Sequence, residues 1–203
     1  QVPIIREKDG ERRPESMRWG LIPFGRTVGM RGRTALDAKG KSVFTPINAK
    51  ADTVHSNGFF KRSFEKRRCV IPAGGFYEWK RAGAAKVPYW IYLTGGAWMG
   101  LAGLYTWWKS PEGNWVSSCT IITTSPNSFM EPIHDRMPVM LPRELEPDWL
   151  DPDNQDTGLL REILLPYDPG LLKTYEVSTQ VNSARNQGPE LILPLAQRPL
   201  IEP

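Results

Sequence analysis

The 203-residue chain reads as an α+β protein, a mixed, largely antiparallel barrel-like sheet with a few peripheral helices. Three observations predict this. Short segments rich in aromatic and β-branched residues recur along the chain, turn-forming glycines and prolines separate them, and few stretches carry helix signals.

Strand-like segments lie at 16–22, 69–71, 76–80, 89–93, 98–106, 115–123, 137–141 and 172–177. Turn signals fall at Gly83, at Gly95-Gly96 and at Pro111-Glu112-Gly113, and the last of these reads as a hairpin between its flanking strands. Ser56 or Asn57 can cap a helix that carries Phe60 and Phe64 four residues apart, and Asp156 can cap a second helix over 157–165. The stretch 26–43 is rich in glycine and basic residues, lacks a period and reads as a mobile loop. Trp19 reads as core, and His55 as a surface residue at a helix start. No repeat or linker divides the chain, so one domain over 1–203 is expected.

Composition narrows the class. Hydrophobic residues make up 40% and charged residues 24%, ordinary for a globular protein, and no apolar run is long enough to span a bilayer. The two cysteines, Cys69 and Cys119, sit in strand contexts without metal-ligand spacing and read as reduced core thiols of a cytosolic protein. The net charge of +4 is unevenly spread. Five basic residues face one acidic residue in 26–43, and again in 61–68, so the first third can present a basic face to phosphates. Such runs also occur as solvated faces.

Glu78 carries the most information. It follows Cys69-Val70-Ile71-Pro72 and two glycines, and lies between Tyr77 and Trp79. A carboxylate held in such apolar surroundings has a raised pKa and suits proton transfer. Strand alternation offers the plainer alternative of an outward-facing glutamate. Asn48 and Lys50 stand two residues apart and share a face if extended. His134 precedes Arg136 in Ile133-His134-Asp135-Arg136-Met137-Pro138, and histidine is a candidate acid or base or simply a satisfied polar residue at a strand entry. The segment Val181-Asn182-Ser183-Ala184-Arg185-Asn186-Gln187-Gly188 is an amide-rich loop with no evident structural need.

Taken in order, Trp19-Gly20-Leu21-Ile22-Pro23, Ile47-Asn48-Ala49-Lys50-Ala51-Asp52-Thr53, Arg68-Cys69-Val70-Ile71-Pro72-Ala73-Gly74-Gly75-Phe76-Tyr77-Glu78-Trp79, Ile133-His134-Asp135-Arg136-Met137-Pro138 and Asn186-Gln187-Gly188-Pro189-Glu190-Leu191-Ile192 resemble the signature of the SOS-response-associated peptidase (SRAP) family, whose members are abasic-site processing proteins. The resemblance implies covalent capture of the ring-open sugar of an abasic site in single-stranded DNA. An N-terminal cysteine supplies an α-amine that forms an imine and a thiol that closes a thiazolidine, with no cofactor and no metal. It assigns Glu78 as the acid/base carboxylate, His134 as an aid to ring opening and proton transfer, and Asn48 as the amide that positions amine and sugar. Lys50, where the family more often has arginine, and Arg136 are the implied phosphate contacts, and Phe24 is either the implied stacking residue or a ring packed in the core. The family's N-terminal Cys-Gly-Arg segment is not part of these residues, so the 203-residue chain is expected to lack the crosslinking nucleophile. A monomer in the bacterial cytosol or nucleoid is expected, with a cysteine-dependent autopeptidase or a non-covalent reader of damaged DNA as alternatives.

Overall fold

The computed structural model describes residues 1–22, 28–31, 34–37, 43–110 and 113–195. The elements begin with β1 (Val2–Lys8), β2 (Glu11–Trp19), β3 (Val28–Arg31), β4 (Thr34–Asp37) and β5 (Asn48–Lys50). Two short helices follow, α1 (Ala51–Val54) and α2 (Lys61–Lys66), then β6 (Arg68–Ala73), β7 (Phe76–Ala82), β8 (Ala85–Leu93), β9 (Met99–Lys109) and β10 (Trp115–Thr124). The last part holds β11 (Met137–Pro138), β12 (Met140–Leu141), α3 (Glu146–Leu150), α4 (Thr157–Glu162) and β13 (Leu172–Glu176). The α+β class with a barrel-like sheet is what the sequence predicts.

The chain divides into two compact units. The first comprises Gln1–Pro72, Gly100–Thr124 and Pro138–Tyr167. Its strands run in the order β10-β2-β1-β6-β9, and a β9–β10 pairing closes this five-stranded circuit into a barrel. The β1–β2, β1–β6 and β9–β10 pairs are antiparallel, whereas β10 runs parallel to both β2 and β5. Closure removes the free edges that would otherwise invite aggregation.

The β1–β2 hairpin is hidden in the sequence, because charged residues crowd both strands and mask the alternation. Its signal is the Asp9-Gly10 turn, with φ of 56° and 77°, the left-handed pair that a tight hairpin needs. The stretch read as a loop also needs correcting. Within it β3 and β4 pair antiparallel, Val28 opposite Asp37, since valine, methionine, threonine and leucine there favour extended backbone. Residues 23–27, 32–33 and 38–42 lie outside the described residues, and with them the aromatic Phe24.

Inside the first unit Phe64, Leu104, Ile122, Val54 and Leu160 form one apolar cluster with Trp149. Phe60 and Phe64 are both buried, but α2 begins at Lys61, so Phe60 stands at its N-cap and only Phe64 lies within the helix. Asn57 caps the turn before it, accepting the Phe59 amide at 2.9 Å. Asp156 caps α4 as predicted, its carboxylate accepting the Gly158 and Leu159 amides.

Arg68 departs from its sequence context. Although it ends a basic run, it is buried, and its guanidinium donates to the carbonyls of Phe64, Glu65, Trp149, Asp151 and Asn154. It also lies over the Trp149 ring at 5.7 Å, so this charge belongs to the core and not to a basic face. Trp19 is corrected the other way. It is 43% exposed, and its indole donates to the Ile47 carbonyl at 2.8 Å. His55 closes α1 and does not start a helix; it is half-buried, with Nδ1 lacking a hydrogen-bond partner.

The second unit comprises Ala73–Met99, Ser125–Met137 and the chain from Asp168 onward. It is built on a three-stranded antiparallel sheet, β13-β8-β7, which leaves β7 at an edge. No helix among the described residues is long and apolar enough to cross a membrane.

Candidate active site

Glu78 stands on β7, opposite Tyr89 of β8. The strand can begin where it does because Gly75 lies against the next strand. A Cβ there would come within 2.4 Å of Trp90 Cζ2 and 2.5 Å of the Ile91 carbonyl, a gap only glycine fits. Aromatic packing then fixes the strand, with Tyr77 tilted against Trp90 at 4.9 Å and Tyr92 against Tyr175 at 5.4 Å.

His134 arrives on the segment 125–137, which two methionines pin. Met130 and Met137 are fully buried, and the Asn127 side chain accepts the Met130 amide at 2.9 Å. The His134 amide in turn donates to the Met130 carbonyl at 2.9 Å. Local hydrogen bonds orient the ring. The Arg136 N–H donates to Nδ1 at 3.0 Å, and we assign the imidazole proton to Nε2 on that basis. The Arg136 carbonyl and an Asp135 carboxylate oxygen also approach Nδ1, each at 3.2 Å.

Nε2 faces Glu78 Oε2 at 3.7 Å, beyond a hydrogen bond but within ion-pair reach. Burial pushes the Glu78 carboxyl above its ordinary range; His134 and the Trp79 amide draw it back, while Asp135 adds to the rise. The result is a half-buried carboxyl that retains its proton more readily than a surface glutamate, beside an imidazole. That is an acid–base pair suited to moving one proton to or from a bound molecule.

The pair lines a cleft of about 390 Å³ with Trp79, Arg81, Lys86 and Asn182. Asn182 explains part of the amide-rich loop. Ser178 caps the short turn 179–182 by accepting the Gln180 amide, and Asn182 Oδ1 then accepts the Trp79 indole N–H at 2.7 Å, fixing that wall of the cleft. Sequence reasoning singled out Asn182's loop but not its partner, because the two are more than a hundred positions apart. It missed Arg81 and Lys86, whose signal was their placement on either side of the Gly83 turn.

Asn48 and Lys50 belong to the first unit. They flank the buried Ala49 on β5 and are both exposed on one side of it, as the two-residue spacing predicts. Glu78, His134 and Arg136 belong to the second, with Arg136 half-buried. Phe24 lies outside the described residues. The two cysteines, Cys69 and Cys119, lie within β6 and β10. Both are buried; burial pushes the Cys69 thiol well up and Cys119 to about 12.

Known proteins resemble this chain over most of its length. The abasic site processing protein YoqW of Bacillus subtilis is 44% identical over 178 residues, covering 87% of this chain and 74% of that protein. The abasic site processing protein HMCES of Xenopus tropicalis is 33% identical over 200 residues, covering 89% and 57%. A crystal structure of a Bacteroides thetaiotaomicron protein superposes with a TM-score of 0.76 at 29% identity, covering 95% of this chain and 80% of that one. The profile described as SOS response associated peptidase (SRAP) matches residues 1–184, and with these relatives it shows that the chain belongs to the SRAP family.

Proposed function

We propose that this protein processes abasic sites in single-stranded DNA by linking itself to the open-chain deoxyribose. One observation carries the proposal: a carboxyl with a raised pKa faces an imidazole at 3.7 Å in an open cleft of a chain whose named relatives are abasic site processing proteins.

The chemistry needs such a pair. An α-amine adds to the C1′ aldehyde and gives a carbinolamine. Loss of its hydroxyl as water requires a proton donor, which is the task assigned to Glu78, with His134 passing protons between the carboxyl and the sugar oxygens. A thiol then adds to the imine carbon and its proton passes to the nitrogen, closing a thiazolidine with one water released overall. The nucleophile in this scheme is an N-terminal cysteine of the full-length protein. Cys69 and Cys119 fit the role poorly, since each is buried as the thiol and has its nitrogen in a peptide bond. Asn48, Lys50, Arg136 and Phe24 enter through family resemblance, as the amide positioning the amine, two phosphate contacts and a stacking ring.

The test is incubation of the full-length protein with an oligonucleotide carrying one abasic site, followed by denaturing electrophoresis. A denaturation-resistant adduct is expected, abolished when an extra leading residue blocks the α-amine. Adduct formation through Cys69 or Cys119 would overturn the assignment of the nucleophile. Binding without any adduct would make the protein a non-covalent reader, and release of a leader peptide alone an autopeptidase.

A further inference from the structure

We infer that Arg81 and Lys86 form a phosphate subsite at one end of the Glu78–His134 cleft, holding the DNA strand on one side of the reacting sugar. The identity of the ligand rests on the abasic-site proposal; the subsite itself rests on the geometry of the β7–β8 hairpin.

Arg81 of β7 and Lys86 of β8 are direct cross-strand partners in that hairpin. Like charges placed directly opposite one another destabilise an antiparallel pair, and a hairpin shaped only by stability would set a carboxylate against one of them. Among the described residues neither cation has an ion-pair partner. Both side chains are exposed, and both line the cleft that holds Glu78, His134, Trp79 and Asn182. The repulsion is therefore left for a bound anion to relieve.

The placement also fixes which part of a ligand meets the cations. Arg81 is three residues beyond Glu78 on the same strand, roughly 10 Å along an extended backbone, and the odd spacing puts it on the Trp79 face of β7, so a ligand that reaches both passes around this edge strand. Phosphate oxygens close to Glu78 would lie against a carboxyl and not a cation, so the cleft is asymmetric along its length, with its proton-transfer groups separated from its cationic end. A guanidinium fork and a more compact ammonium side by side suit the oxygens of a phosphodiester. A neutral sugar at Glu78 with the next backbone phosphates at Arg81 and Lys86 satisfies both ends, and this arrangement orients the strand.

The test uses the full-length protein, the R81Q/K86Q double variant and the charge-preserving R81K/K86R variant. Each is titrated with an abasic oligonucleotide and its undamaged counterpart, both prepared as all-phosphodiester strands and as series in which single phosphates are replaced by neutral methylphosphonates. The wild-type protein should lose affinity when one or two phosphates on one side of the abasic position are neutralised. R81Q/K86Q should be insensitive at those positions alone, and its log–log salt slope should be shallower by about 0.7 for each phosphate the variant no longer neutralises. R81K/K86R should keep most of the slope. The double variant should melt no lower than wild type, because it removes a repulsion; this separates a ligand site from a structural pair. A double variant with wild-type affinity and salt slope, or one weakened equally at every phosphate position, overturns the subsite while an adduct formed by the wild type leaves the abasic-site proposal standing. A wild-type protein that neither binds nor reacts with these strands overturns both.

Discussion

The two units use their charged residues differently. In the barrel unit Arg68 is buried and donates to five backbone carbonyls, so every arm of its guanidinium is engaged in holding the core. In the sheet unit Glu78 and His134 meet at a distance too long for a hydrogen bond, and Arg81 opposes Lys86. A satisfied charge makes structure, and a charge left short of satisfaction makes a site. The contrast predicts that substitutions in the two units fail in different ways, one through stability and the other through rate.

The largest expected effect separates them. Glu78→Gln keeps shape and hydrogen bonding but removes the proton carrier, so adduct formation should slow by roughly 10²–10⁴, the usual scale of general acid–base catalysis, while DNA affinity is retained. Trp149→Ala, in the barrel core, should cost about 3–5 kcal/mol in urea unfolding, because it empties a fully buried site and strips the Cys69 carbonyl of its 3.0 Å indole donor. The folded fraction of that variant should still react. A Trp149→Ala protein that stays folded but unreactive, or a Glu78→Gln protein that reacts normally and binds weakly, would break the division between the units.

A middle-sized effect sharpens it. Gly75→Ala forces a methyl group into the Trp90 ring and the Ile91 carbonyl, and overpacking of this kind costs roughly 1–3 kcal/mol. Its particular signature is that β7 must shift to relieve the clash, carrying Glu78 with it. The rate of adduct formation should therefore fall by more than the loss of folded protein explains. Measurement at a temperature where both proteins are fully folded isolates that part, and an unchanged rate there would show that Glu78 does not depend on the Gly75 approach.

The same contrast explains what was legible in the sequence. Glu78, His134 and Asn48 could be picked out because each sits in a short run whose residue types are unusual locally, and the β7 and β10 strands because aromatic and β-branched residues mark them. The β1–β2 hairpin could not be, since its charges pair across the strands, as Arg6 does with Glu15, and such pairing leaves no period along one strand. Arg68 read as one more surface cation because three of its five acceptors, the carbonyls of Trp149, Asp151 and Asn154, lie where no local window reaches. Arg81 and Lys86 needed the strand register, and Asn182 needed the fold that brings it to Trp79.

The smallest expected effect lies in stability against pH and tests the environment of Glu78 directly. Burial raises its pKa in the native state, so the protonated form is favoured there relative to the unfolded chain. The stability this contributes is fully present below the ordinary glutamate pKa and is lost as pH rises through the raised native value. Glu78→Gln, uncharged throughout, escapes that loss. The urea midpoint of the variant should therefore gain on wild type as pH rises from the acid side of the carboxylate range, and the gap should become constant once the native carboxyl has ionised. The gain is limited because the side chain keeps 21% of its exposure, and solvent screens the charge it carries. A gap that shrinks with rising pH would mean that His134 and the Trp79 amide together outweigh burial. Glu78 would then rest as a stabilised carboxylate, suited to accepting a proton and unable to donate the one that carbinolamine dehydration requires.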